Sequence, residues 1–224
     1  MKKIIVGLLF LVVSIVTAQN EVSVKLENID VLKVSNGLKV NLIKSEEQKL
    51  EIHGEEAGSV TFKNKRGTLK LGLKFGSSFD SKKVEIDLYY NSNIGELDVN
   101  QGALIISKEI FEQKQLKLNS QDGSSIKLEI EVDYLKIKGV SGGNIQLKGI
   151  AKSQNVKLVS GASYKGFDLH TNQTIIYVST GAVAEIQVSG ILDAKSKFGA
   201  SIIYSGQPNS ISTEESIGGK ITKY

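Results

Sequence analysis

Seven glycines recur through the second half of the chain: Gly102, Gly123, Gly142, Gly161, Gly181, Gly199 and Gly218. The intervals are 21, 19, 19, 20, 18 and 19 residues, and each glycine is followed by Ala, Ser or Gly. Short alternating runs precede them, LDV from Leu97, LKL from Leu116, LKI from Leu135, VKL from Val156 and IYV from Ile176. Further apolar alternation follows several of them, as in Ile126/Leu128, Ile145/Leu147 and Ile202/Tyr204. A repeat of about 20 residues made only of short strands and glycine corners is the signature of a solenoid. One such rung cannot bury its own apolar stripe. Stacked at about 4.8 Å, each rung covers the next, and seven of them extend roughly 30 Å around a continuous Leu/Ile/Val core. At each corner the chain must turn, which favours glycine's access to positive φ. Stacking of the corners then restricts the following side chain to a small one.

Strand patterns also fill the chain ahead of the repeat: LKVNLIKS (38–45), KLEIHG (49–54), TLKLGLKF (68–75) and KVEIDLYY (83–90) alternate with period two between turn residues. No amphipathic helix of useful length is present. The reading is all-β, a parallel β-helix or β-solenoid with rungs of about 20 residues. The rival is an antiparallel sandwich or barrel. Against it, hairpin dipeptides are scarce, with Asn-Gly only at Asn36-Gly37 and Asp-Gly only at Asp122-Gly123. The single proline, Pro208, falls between rungs, where a missing backbone donor costs least.

The chain opens with MKKIIVGLLFLVVSIVTAQN. Lys2 and Lys3 form a basic segment, Ile4–Val16 is apolar, and Val16-Thr17-Ala18 suits cleavage after Ala18. The apolar run is shorter than the ~20 residues that span a bilayer. The expected organisation is an export signal over 1–18 and one solenoid domain over 19–224, with 19–95 as N-terminal strands or cap and 96–224 as repeat rungs. Location would be periplasmic, outer-surface or extracellular, with membrane contact only through the export signal. No anchor or C-terminal sorting region is visible.

With these corners at 141–143, 160–162 and 180–182, with GASIIYSGQP at 199–208, and with an opening of the type VSNGLKVNLIKSEEQKLEIHGEE at 34–56, the chain resembles the auto-transporter adhesin, head GIN domain family of secreted bacterial proteins. The likeness covers about residues 29–224. It implies a right-handed parallel β-helix, an exported location and an adhesin-like role. The corners at Gly102, Gly123 and Gly199 depart from the family pattern, since Ser does not precede Gly there.

Composition narrows the chemistry. The chain has no cysteine, two histidines (His53 and His170) and one arginine (Arg66), which removes thiolate sites and most routes to acid–base or phosphate chemistry. Net charge is +4, and the loss of Lys2 and Lys3 would bring it to +2. Lys and Glu alternate along strands, and the clustered Arg, Lys and aromatics of a nucleic-acid footprint are absent. Polysaccharide-active solenoid enzymes need clustered carboxylates with Arg or Lys. Here Asp80, Asp87, Asp98, Asp122, Asp133, Asp168 and Asp193 share no rung offset, and Arg66 falls in a solvated loop. His170, with Asp168 on the same strand face, reads as a surface histidine, and His53 beside Glu51, Glu55 and Glu56 as part of a solvated turn. No metal or other cofactor is expected.

Ser141, Ser160 and Ser179 read as a hydroxyl ladder that satisfies corner backbone groups. Among Tyr89, Tyr90, Tyr134, Tyr164, Tyr177 and Tyr204, outward rings could stack on sugars, and Tyr164 and Tyr177 are the candidate ligand-stacking residues. The expected function is a secreted, non-catalytic surface, for adhesion or for scaffolding in the envelope. A glycan or a cell-surface protein would be its partner. A carbohydrate-binding module is the alternative, and a polysaccharide-active enzyme a more distant one. Lys220 and Lys223 in the closing GGKITKY would discourage edge-to-edge pairing.

Overall fold

Every corner of the repeat takes the same backbone form in the computed structural model, which describes residues 21–74, 76 and 83–224. The export signal expected over 1–18, and Asp80, lie outside the described residues. All nine non-glycine residues with positive φ among the described ones stand directly before a positive-φ glycine. At the corners these pairs are Asn36-Gly37, Gln101-Gly102, Asp122-Gly123, Ser141-Gly142, Ser160-Gly161, Thr180-Gly181, Phe198-Gly199 and Ile217-Gly218. Each is the centre of a four-residue turn with left-handed backbone at both central positions, and the seven corners of the repeat are closed as at the first, where Ala103 N–H donates to the Asn100 carbonyl at 3.2 Å. The glycine N–H then donates to the next rung's corner carbonyl, Gly142 to Ser160 at 3.1 Å and Gly161 to Thr180 at 3.0 Å. The corners are therefore tied to each other as well as to their own strands.

The N-terminal part contains β1 (Glu21–Lys25), β2 (Val31–Val34), β3 (Lys39–Lys44), β4 (Lys49–His53), β5 (Val60–Lys65), β6 (Thr68–Leu73), β7 (Glu85–Tyr90) and β8 (Glu96–Val99). The repeat contains β9 (Leu104–Gln121), β10 (Ser125–Val140), β11 (Asn144–Leu158), β12 (Ser163–Ser179), β13 (Val183–Lys197), β14 (Ser201–Ser205), β15 (Ser210–Ser216) and β16 (Lys220–Lys223). Strands β9 to β13 each run from one corner to the next and pair in parallel with their neighbours. The result is a β-solenoid of about seven turns with ~19 residues per turn.

Inward residues line up in columns because the pairing is in register. One column reads Leu69, Leu32, Leu97, Leu118, Ile137, Val156, Ile176 and Ala194. Another reads Ile86, Val40, Ile105, Ile126, Ile145, Tyr164, Ala184 and Ile202. None of these side chains is more than 1% exposed. Burial of a Leu, Ile or Val contributes about 1.5–3 kcal/mol, and a lone rung would leave most of that ungained.

The boundary expected at 95/96 does not separate cap from rungs. Strands β2 and β3, joined by the corner Asn36-Gly37, form a full rung between β6/β7 on one side and β8/β9 on the other. Gly37 is thus an eighth corner, hidden from the repeat because its next neighbour in space is Gly102. Antiparallel strands close this end: β4 on β7, β1 on β4, and β5 on β6. The hairpin turn between β5 and β6 is Arg66-Gly67, so Arg66 sits in a tight turn rather than a loose loop. Asn36-Gly37 and Asp122-Gly123, the two dipeptides of hairpin type, are both solenoid corners, as expected for Gly123.

At the other end, among the described residues, β15 and β16 have no rung beyond them. The inward positions there carry Ile211, Thr213 and Glu215, continuing the columns of Leu192, Ala194 and Ser196. The Glu215 carboxylate accepts a hydrogen bond from the Ile221 N–H.

Candidate functional site

Residues just before the corners present one outward face and residues just after them another. On the post-corner face two ion pairs cross between rungs, Lys148 with Glu129 at 2.7 Å and, at the bend, Lys152 with Asp133 at 2.6 Å. The pre-corner face differs. Across β9 to β12 its outward positions are Gln115, Lys117 and Asn119, then Tyr134, Lys136 and Lys138, then Ser153, Asn155 and Lys157, then Gln173, Ile175 and Tyr177. None of these twelve positions carries a carboxylate.

A groove of about 460 Å³ runs over this face, with Gln115, Tyr134, Lys136, Ser153, Asn155 and Gln173 among its lining. Tyr134 is 62% exposed, an unusual position for so large an aromatic side chain. Register places Gln115 beside it on one rung and Ser153 on the other, with Gln173 one rung further. An aromatic plate ringed by side-chain amides and a hydroxyl can stack on a flat apolar surface while it hydrogen-bonds to hydroxyl groups at the edges. Tyr177 lies two rungs away, half-buried, with Lys157 Nζ 6.0 Å from its ring centroid.

The structure corrects one of the two candidate stacking residues. Tyr164 is 1% exposed and belongs to the core, where its hydroxyl donates to Gln154 Oε1 at 2.9 Å. Burial pushes its phenol far above the ordinary tyrosine range. The signal that places it inward is its position three residues after Gly161, which is held by Ile105, Ile126, Ile145 and Ile202 in other rungs. Ala184 on the next rung leaves the volume that the ring occupies. Tyr134, one of the chain's seven tyrosines and marked by no distinguishing motif, holds an exposed position on this face instead.

The serine ladder is also rearranged. Ser141 and Ser160 are exposed, at left-handed corner positions, and only Ser179 is buried. Buried hydroxyls at the corners come from other residues: Ser120 Oγ donates to the Ser124 carbonyl and Ser196 Oγ to the Ala200 carbonyl, both at 2.9 Å. All seven corner glycines of the repeat have φ between 67° and 76°. At Gly102, Gly123, Gly161, Gly181 and Gly199 an added Cβ would meet nothing within 4 Å, so conformation and not space demands glycine there. The small residue that follows is a matter of space: a Cβ on Gly143 would lie 2.1 Å from the Ser120 carbonyl oxygen.

The acidic residues stay apart. Asp98 pairs with Lys33 at 2.9 Å, and Asp133 with Lys152. His53 lies 3.6 Å from Glu21 and 3.7 Å from Glu51. His170 and Asp168 are exposed on β12, where the register slips between Gly166 and His170. Among the described residues no group of three or more His, Asp and Glu is placed to hold a metal ion.

The sequence matches the family described as "Putative auto-transporter adhesin, head GIN domain" over residues 28–208. A comparison with curated proteins gives no match. Among solved structures the chain is similar to a putative adhesin from Bacteroides fragilis NCTC 9343, with a TM-score of 0.81, 15% identity, and 93% of this chain and 98% of that one covered. It is also similar to a putative adhesin from Parabacteroides merdae ATCC 43184, with a TM-score of 0.75, 15% identity, and coverage of 92% and 96%. A third is a putative lipid binding protein from Parabacteroides distasonis ATCC 8503, with a TM-score of 0.72, 18% identity, and coverage of 92% and 96%. At these identities the likeness concerns the fold.

Proposed function

The chain belongs to the head GIN domain family of auto-transporter adhesins, and from that membership we propose that it is an exported, non-catalytic recognition solenoid whose working surface is the pre-corner face around Tyr134. The observation that carries this reading is the exposed Tyr134 ring over a groove lined by Gln115, Ser153, Asn155 and Gln173. The groove is open and crosses several rungs, with apolar surface between its polar side chains, which suits an extended ligand laid across rungs. Its side chains stand on strands hydrogen-bonded on both sides, so little backbone entropy is lost on binding. Residues for stacking and hydrogen bonding are gathered there, while the carboxylates needed for glycoside chemistry are dispersed. A carbohydrate is the ligand type that an aromatic plate ringed by amides fits best.

The test is a binding screen of the purified protein against glycans, matrix proteins and envelope polymers, repeated with Tyr134→Ala. A saturable ligand whose affinity falls tenfold or more in Tyr134→Ala supports the reading. A ligand bound equally by both proteins moves the site elsewhere. Silence from a folded sample removes the recognition role and leaves scaffolding.

A further inference from the structure

Two pairs of like charges face each other across rungs on the pre-corner face: Lys117 opposite Lys136, and Lys138 opposite Lys157. Neighbouring strands lie about 4.8 Å apart, and like charges held directly opposite each other destabilise a sheet. Elsewhere on the solenoid the same register sets opposite charges together, as with Glu129 and Lys148 or Lys195 and Glu214. Lys117 has a carboxylate neighbour, Glu96 at 3.0 Å. Lys136, Lys138 and Lys157 form no ion pair among the described residues, and none of the twelve pre-corner outward positions of β9 to β12 carries a carboxylate. The window is framed by acidic rungs, Glu96 and Asp98 on β8 at one end and Asp193 and Glu214 on β13 and β15 at the other. A further like pair, Lys33 and Lys70, lies on the same face toward the N-terminal end, where Asp98 takes Lys33.

We propose that this lysine window binds an acidic polysaccharide, carrying carboxylate or sulfate groups, that lies across β9 to β12 with its charges on Lys136, Lys138 and Lys157 and a sugar ring on Tyr134. The proposal rests on the reading of the pre-corner face as the working surface. The anion supplies the countercharge that the fold withholds, and the mutual repulsion of the lysines is relieved on binding. Gln115, Ser153, Asn155 and Gln173 surround the tyrosine with the donors and acceptors that sugar hydroxyls require. A nucleic acid would call for clustered arginine with interleaved aromatics, and the one arginine, Arg66, is in the β5–β6 turn. A lipid surface would call for a continuous apolar wedge, whereas Ile175 is the single aliphatic residue among the twelve outward positions.

The experiment measures affinity of the full protein for alginate and dextran sulfate, against uncharged dextran and anionic phosphatidylglycerol vesicles, at low and high salt. Two charge-matched triple variants are compared: Lys136→Gln/Lys138→Gln/Lys157→Gln in the window, and Lys108→Gln/Lys127→Gln/Lys165→Gln on the opposite face. The expected result is binding to the acidic polymers that salt weakens, that falls by ~10-fold or more in the window variant, and that is retained in the opposite-face variant. Equal loss in both variants would reduce the effect to net charge and overturn the proposal. So would binding of vesicles with neglect of the polymers, or no binding of either acidic polymer. If uncharged dextran binds, depends on Tyr134 and ignores the lysines, the acidic ligand is refuted while the Tyr134 surface stands.

Discussion

The Tyr164 hydroxyl donates to Gln154 Oε1 at 2.9 Å, across the inside of the solenoid and not on its surface. The Gln154 amide in turn donates to Thr174 at 3.0 Å, and Thr171 Oγ1 donates to the Gln187 carbonyl at 2.6 Å. This polar cluster sits among stacked aliphatic columns, so each member depends on the others to stay satisfied. Tyr164→Phe removes the donor and leaves Gln154 Oε1 buried without its partner. We expect a loss of about 1–3 kcal/mol in urea unfolding, with ligand binding unchanged. If Tyr164→Phe abolished binding and left stability untouched, the assignment of Tyr164 to the core would be wrong.

The corners make a second prediction, because conformation and space act at different positions. At Gly161, Ala has room but must adopt positive φ, at a cost of about 1–2 kcal/mol, and Asn should be better tolerated. At Gly143, Ala collides with the Ser120 backbone carbonyl, so Gly143→Ala should be the more damaging change. Thermal or urea midpoints of the three variants would rank Asn at 161 above Ala at 161, and both above Ala at 143.

Thr180 is a β-branched residue at φ 55°, where such side chains are crowded. Thr180→Asn should raise stability by roughly 0.5–1 kcal/mol, since Asn tolerates the left-handed region. An unchanged or lowered unfolding midpoint would show that the corner hydrogen bonds alone set the conformation.

The last rung should respond to acid. Hydrogen bonds from Lys197 and then Lys195 hold the Glu214 carboxyl below its usual 4.5. A depressed folded-state value means that the contribution to stability is complete above the unfolded value and is lost as pH falls through the folded one. Amide exchange over residues 210–216 should therefore accelerate as pH drops below about 4.5, after correction for intrinsic rates. Glu214→Gln should show faster exchange at neutral pH and little further acid dependence. Identical pH profiles in the two proteins would remove Glu214 as the anchor.

Thr213 and Glu215 occupy inward positions of the final rung, where another turn of solenoid would need apolar residues. Inward polar and charged groups at a sheet edge oppose pairing with a second chain. Thr213→Val combined with Glu215→Leu should expose an apolar end and drive concentration-dependent association in sedimentation. A variant that remained monomeric would shift that protection to Lys220 and Lys223.

Much of this architecture was legible from spacing. Glycine intervals marked seven corners, and the apolar alternation around them marked the inward columns. The same spacing also placed Tyr164 inward, three residues after Gly161, although aromatic identity pointed outward. The eighth corner, Gly37, was not legible: its rung neighbours Gly102 across 65 residues, as seen where Ser107 Oγ donates to the Leu42 carbonyl. Periodicity cannot register a rung whose spatial neighbour is so distant in sequence. The left-handed residue before each glycine is not legible either, because Gln, Asp, Ser, Thr, Phe and Ile share no side-chain chemistry that announces it.

The sequence by itself determined that the chain winds into stacked rungs, because corner chemistry and inward alternation act between near neighbours and repeat with the rung. Only the tertiary structure decided what lies beside what on the outside. The offset between adjacent rungs, the slip in β12 and the insertion of the β2–β3 rung are long-range choices made by packing of the whole stack. Those choices set Lys138 against Lys157 and leave the Tyr134 ring bare, and outward positions carry no burial constraint through which local sequence could have foretold either.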